Sequence, residues 1–328
     1  MELLILDHKR VVSSLAMSKC IELMAEALES LARGEVHLPL RMIVNPPSTT
    51  AVMALMPAYQ SGNRAGFGVK AICVFPGNHA VGKDTHQGGI LLFSAETGEL
   101  LAVVNASAVT AIRTAAVSAV ATRILARESA HDLAIIGAGI QGRTHLAAIA
   151  EVRSIKRVRV ADVIFERARK FATEMSANYH FPIEAVPEVE AAVRHADIIV
   201  TVTNSSEPVL HRDWISDGAH LNVIGASARN AREVDTATMA ASKLYVDRRE
   251  SALNESGDYL MAANEGAIGP NHIQAEIGEL LIGTATGRTC DREITLFKAL
   301  GLAVEDLAAA EYLYRQAKEK RFGSWVEF

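Results

Sequence analysis

Apolar residues follow different spacings along different parts of this chain, and the spacing predicts its elements. Leu3 to Leu6 form a short apolar run read as a first strand. Ile21, Met24, Ala25, Leu28 and Leu31 then recur at helical spacing, with Ser18 as the expected cap and Gly34 as the stop. From His37 to Val104 short β-type runs take over at 40–44, 51–57, 66–75 and 89–94, parted by Pro-Pro, Ser-Gly-Asn, Pro-Gly-Asn and Thr-Gly turns. Such hairpin-rich sequence predicts an antiparallel sheet or partial barrel.

A long helix starting near Ala106 leads into a different regime, which places a domain boundary around residue 120. An apolar strand from Leu133 to Ile136 runs into a glycine-rich turn, then a helix, then a second strand over 158–162. The alternation goes on with helix 164–179, strand 183–185, helix 186–195 and strands at 198–203, 221–224 and 243–246. Strands separated by helical stretches predict an α/β fold with a mostly parallel, doubly wound Rossmann sheet. A last amphipathic helix, 306–318, is placed to return to the first domain.

The turn Gly137-Ala138-Gly139-Ile140-Gln141-Gly142 carries the clearest chemistry. Gly137 allows the tight turn, Gly139 lets backbone approach a pyrophosphate, and Gly142 lets helix and strand pack closely. The helix after the turn offers unpaired N–H groups to the anion. Asp162 stands at the end of the second strand, roughly 20 residues on, where a carboxylate accepts ribose hydroxyls. The expected cofactor is therefore NAD, with NADP as the alternative, since Arg167 and Arg169 come only on the next helix. Ligands of such sheets bind beyond the carboxyl ends of the strands, so 201–205, with Thr201, Val202 and Thr203, and 225–227, with Gly225 and Ser227, are expected to line the crevice.

Composition narrows the picture. The 328 residues are 49% hydrophobic with a net charge of −5 from interspersed charges, so a basic nucleic-acid surface is not expected. The start lacks the positive region of a signal peptide, and the most apolar helix is broken by Arg113 and Arg123, so no membrane span is expected. Cys20, Cys73 and Cys290 lie far apart, and the histidines show no metal-binding spacing. These point to reduced thiols, a cytoplasmic protein and no metal.

Several motifs together go past a generic dinucleotide fold. Gly68-Val-Lys70, Val74-Phe-Pro-Gly-Asn78, Thr97 to Ala102, Thr110-Ala-Ile-Arg113, the glycine turn, Ala196 to Thr201, and Gly287 to Gly301 resemble the ornithine cyclodeaminase/mu-crystallin family over nearly the whole chain. The resemblance implies a Rossmann NAD(P) domain, 120–305, inserted into a substrate-binding and dimerisation domain made of 1–119 and 306–328. It implies a homodimer acting on a small carboxylate-bearing amino, imino or oxo acid. Arg41, Lys70 and Arg113 match the positions that hold the substrate carboxylate, and Thr114 joins the cofactor set. An arginine in an otherwise apolar helix needs an anion, either a protein carboxylate or a ligand. For Arg113 the ligand is the expected one, so that Arg113→Ala would leave stability little changed while turnover falls on the order of a hundredfold.

One departure matters. Cyclodeaminases of the family carry an aspartate in the motif matched here by Gly225-Ala-Ser227, and serine is not a base at neutral pH unless something activates it. The expected activity is thus NAD(P)H-dependent reduction of a cyclic ketimine such as pyrroline-2-carboxylate, or of an oxo acid or imine, or the reverse. Lys70 or a water held by Ser227 would relay protons if the substrate is a ketone. The alternatives are a redox-neutral lyase of cyclodeaminase or hydroxyproline dehydratase type, and a non-catalytic nucleotide or small-molecule binder. The substrate side chain depends on which of Met53, Met56, Thr85, His86 and Gln87 face inward.

Overall fold

The computed structural model describes residues 2–328, apart from the side chains of His79 and Ala80, and the chain divides into two compact units. The first comprises residues up to Thr114 together with Gly301–Phe328, and the second Ala115–Leu300. The divisions fall at 114/115 and 300/301 rather than after 119 and 305. The earlier one lies inside the helix Ala106–Leu125, where no turn or helix-breaking residue marks it.

In the first unit, strands β1 (Glu2–Leu6), β2 (Val36–His37), β3 (Met42–Val44), β4 (Val52–Gln60), β5 (Gly66–Val74), β6 (His86–Ser94) and β7 (Leu100–Asn105) form one sheet with the C-terminal strand Ser324–Glu327. The order is C-terminal strand, β1, β7, β6, β5, β4, β2, with β3 also paired to β4. The sheet is antiparallel except where β1 runs parallel to β7. Strand β7 escapes the sequence pattern, as do the two-residue β2 and the C-terminal strand. The helix Met17–Ala32 buries Cys20, Leu23, Met24 and Leu28; it begins after Ala16 with no side-chain cap, so Ser18 lies inside the helix instead of capping it. The C-terminal helix Ala303–Lys320 packs on that helix and on β4, β5 and β6. Gly68 shows how close this is, because a Cβ there would lie 2.9 Å from Leu307.

In the second unit, β8 (Asp132–Ile136), β9 (Arg157–Ala161), β10 (Ile183–Ala185), β11 (Ile198–Thr201), β12 (His220–Val223), β13 (Lys243–Val246), β14 (Ile273–Glu276) and β15 (Thr295–Lys298) form a wholly parallel sheet. Its order is β10-β9-β8-β11-β12-β15-β13-β14. Side chains alternate between two faces: Leu133 and Ile135 join one apolar cluster, Ala134 and Ile136 the other. Both faces are covered, which is why these strands read as continuous apolar runs. Order reverses between β8 and β11, so a crevice opens beyond the carboxyl ends of those two strands.

The helix Ala106–Leu125 has the length and hydropathy of a membrane span despite its two arginines, but 72% of the relevant stretch is buried in protein.

Candidate active site

The three glycines of the turn sit in different surroundings. Gly137 sits at φ +109°, and a Cβ there would lie 2.7 Å from the Val202 carbonyl oxygen. A Cβ on Gly142 would lie 2.3 Å from the Gly137 carbonyl oxygen, so helix Ile140–Val152 can approach β8 only through glycine. A Cβ on Gly139 would meet nothing within 4 Å. That open space lies at the helix N-terminus, where Gly139 is the cap and no side chain satisfies the first turn. Backbone donors facing open space are what an anionic phosphate requires. The Asp162 carboxylate accepts from the amides of Ala138 and Ile164, both at 2.9 Å, which fixes it beside the turn. These residues fit a dinucleotide.

The other expected crevice residues divide. Thr201 is fully buried and its hydroxyl donates to Glu233 at 2.9 Å; the Thr203 hydroxyl also donates to Glu233, at 2.8 Å. Both hydroxyls are thus committed inward, Thr201 from the last residue of β11 and Thr203 from the loop after it. Gly225 comes after β12, and Ser227 beyond it is exposed. Thr114 is half-buried on its helix at the end of the first unit's share.

The expected substrate cations converge within the first unit on the start of the C-terminal helix. Alternation along β5 puts Gly66, Gly68, Lys70 and Ile72 on its buried face, the face that packs against that helix. Lys70 Nζ lies 2.6 Å from Asp306 Oδ2. Arg113 Nη1 lies 2.7 Å from Glu305 Oε2, and its Nε lies 3.2 Å from Asp306 Oδ1. Arg41 donates to the Gly301 carbonyl at 3.1 Å. Gly301, at φ +79°, also gives the Arg113 guanidinium room, since a Cβ there would lie 2.6 Å from Nη1. Glu305 and Asp306 stand in the first helical turn, where the helix dipole favours negative charge. The expectation that Arg113 is not a structural ion-pair partner is therefore corrected. Two protein carboxylates supply the anion that its burial demands.

Burial pushes the Lys70 pKa down from 10.5 to about 8, with Asp306 opposing and Arg113 assisting. For Arg113 burial also works downward, but Asp306 and Glu305 outweigh it and the guanidinium is held charged. His86, at the start of β6, has its pKa lowered by desolvation and then by the charges of Lys70 and Arg113. The residue keeps much of its surface in water, so the two cations are the firmer cause. Met56 is buried and pairs in register with Lys70, whereas Met53, His86 and Gln87 are exposed.

The model of the ornithine cyclodeaminase/mu-crystallin family matches residues 1–321. The chain belongs to this family. It is 37% identical over 313 residues to a Delta(1)-pyrroline-2-carboxylate reductase of Bacillus cereus, covering 95% of this chain and 96% of that one. The structure of Thermococcus litoralis Delta(1)-pyrroline-2-carboxylate reductase in complex with NADH and L-proline matches with a TM-score of 0.95 and 38% identity, covering 99% of this chain and all of that one. An archaeal alanine dehydrogenase dimer with bound NAD matches with a TM-score of 0.94 and 33% identity over the whole of both chains.

Within this family member, sequence reasoning missed Glu305, Asp306 and Glu233. A signal for the first pair was present: two acids in the apolar run Leu302 to Ala310 need cations for the same reason that Arg113 needs an anion. Glu233 sits in a polar loop stretch with no comparable mark. Among the described residues, no group of three or more His, Cys, Asp and Glu could hold a metal ion.

Proposed function

We propose that this protein is an NAD(P)H-dependent oxidoreductase that reduces a carbon alpha to a carboxylate, with a cyclic ketimine of the pyrroline-2-carboxylate type as substrate, or an oxo acid or imine, and that also runs the reverse oxidation. The observation that carries the reading is the convergence of Arg41, Lys70 and Arg113 on Gly301–Asp306, in a chain whose second unit holds an open glycine turn. The bound dinucleotide supplies or accepts the hydride. Arg41 and Arg113 offer planar forks to the substrate carboxylate, and Lys70 adds a compact charge. Glu305 and Asp306 hold Arg113 and Lys70 in place and keep them charged. A protonated imine is already electrophilic, so no strong protein acid is needed; for a ketone, Lys70 is the proton donor.

Asp162 favours NAD(H), because a carboxylate beside the turn repels a 2′-phosphate. Ser227 in place of the family's aspartate disfavours redox-neutral cyclisation. We place the protein in the cytoplasm on its three free cysteines, and read it as a homodimer, a reading supported by the dimeric assembly of a relative; the exposed edges of the antiparallel sheet make the first unit the interface. Light scattering at micromolar concentration tests the dimer.

The deciding assay tracks absorbance at the reduced-nicotinamide band with pyrroline-2-carboxylate, oxo acids plus ammonia, and amino acids, using NADH and NADPH in parallel. Turnover with NADH ahead of NADPH is expected. Release of ammonia from L-ornithine with proline as product and no net redox would replace this reading by the lyase, and cofactor binding without turnover of any substrate would replace it by the binding protein.

A further inference from the structure

We propose that Glu233 is a positioning residue for the dinucleotide crevice: its buried carboxylate ties together the loops after β11 and β12 and holds them in the shape that receives the cofactor. The inference rests on the reading of this crevice as a dinucleotide site. Glu233 is fully buried. Its Oε1 accepts from the Thr203 amide at 2.7 Å and the Thr203 hydroxyl at 2.8 Å. Its Oε2 accepts from the Thr201 hydroxyl at 2.9 Å and from the amides of Gly225 at 2.6 Å and Ala226 at 3.3 Å. One oxygen thus serves the β11 loop alone, and the other joins the end of β11 to the β12 loop.

The acid is itself held from behind. Asp258 Oδ1 accepts from the amides of Glu233 at 2.7 Å and Val234 at 3.1 Å. Asp258 pairs with buried Lys298 at 2.8 Å, and Lys298 donates to the Ala226 carbonyl at 2.6 Å, returning to the loop that Glu233 grips. The ring is closed, and it reaches the glycine turn. A Cβ on Gly225 would lie 2.2 Å from the Thr203 carbonyl oxygen, and one on Gly137 would lie 2.7 Å from the Val202 carbonyl oxygen, so the three loops touch in series. A core packing role alone would be met by an apolar side chain; a carboxylate that takes donors from both loops at a sheet's switch point fixes their separation.

The substitution Glu233→Gln keeps the shape but turns one acceptor into a donor, which then faces amides or hydroxyls that also donate. The test titrates NADH into the wild-type protein, Glu233→Gln and Thr203→Val by fluorescence, and monitors amide hydrogen exchange. Glu233→Gln is expected to raise the Kd for NADH at least tenfold and to speed exchange at Thr203, Gly225 and Ala226, while the amides of β8 stay protected. Thr203→Val removes one donor and leaves the acid, and is expected to raise the Kd severalfold in a protein that melts near the wild-type temperature. Wild-type Kd and loop exchange in Glu233→Gln would overturn the proposal. If that variant does not fold, wild-type NADH affinity in Thr203→Val would overturn it, and a raised Kd would support it. Failure of the wild-type protein to bind NADH would instead remove the dinucleotide reading, and this inference with it.

Discussion

Arg113 needs an anion because a guanidinium in an apolar helix is otherwise an uncompensated buried charge, and the fold answers with Glu305 and Asp306. Arg113→Ala would take from both carboxylates the guanidinium they share, so the variant should lose about 3–5 kcal/mol of stability, the range for breaking a buried pair. Thermal unfolding checks this, and an unchanged melting temperature would count against the pairing. If Arg113 also holds the substrate, kcat/KM should fall on the order of a hundredfold, with Arg113→Lys recovering only part for want of the fork. Lys70 yields a pH dependence with two opposite signs. Its ammonium is present below about pH 8 and lost above, so carboxylate binding and kcat/KM should decline as pH rises through that value. The unfolded chain keeps this proton up to its ordinary pKa of 10.5, so between the two values unfolding takes up a proton and the group's contribution to stability rises with pH. A pH–rate profile that keeps its alkaline limb near 8 in Lys70→Arg would assign that limb elsewhere.

At the scale of elements, the glycine turn separates folding from binding. Gly142→Ala would drive a methyl group into the Gly137 carbonyl and force helix Ile140–Val152 off β8, so it should melt well below the wild-type protein. Gly139 has ordinary φ and open space around its missing Cβ, so Gly139→Ala should melt normally yet bind NADH at least tenfold more weakly. Calorimetry and NADH titration of both variants check the contrast; equal affinity in Gly139→Ala would mean that the phosphates lie elsewhere. The turn, the strands on either side and the helix after it were legible because each rests on local spacing and glycine chemistry. Strands β14 and β15 were not. The β-type preference of Thr295–Lys298 is diluted by a lysine whose partner, Asp258, is far away in sequence, and that of Ile273–Glu276 by its glutamine and glutamate.

Across the whole molecule, two fully buried histidines set a limit on acid tolerance. His145 donates from Nδ1 to the Gln141 carbonyl at 2.7 Å and accepts at Nε2 from the Ser118 hydroxyl at 2.9 Å; burial lowers its pKa to about 4 and that of His220 to about 3. Unfolded histidine titrates near 6.5, so as pH falls from there toward about 4 the unfolded chain holds two protons that the fold does not, and both residues destabilise the fold over that window. Ring resonances that stay neutral at pH 5, with a melting temperature that drops between pH 7 and 5, are the expected result; a ring titrating near 6.5 in the folded protein would refute it. By itself the sequence determined the features set by near neighbours along the chain: the two regimes of spacing, the parallel sheet, the glycine turn with its acid, and the need of Arg113 for an anion. Only the tertiary structure decided which groups meet. Arg113 and Asp306 are 193 positions apart, and Glu233 gathers donors from two loops. A charge or a hydroxyl announces locally that it needs a partner, but strand order and helix packing choose that partner.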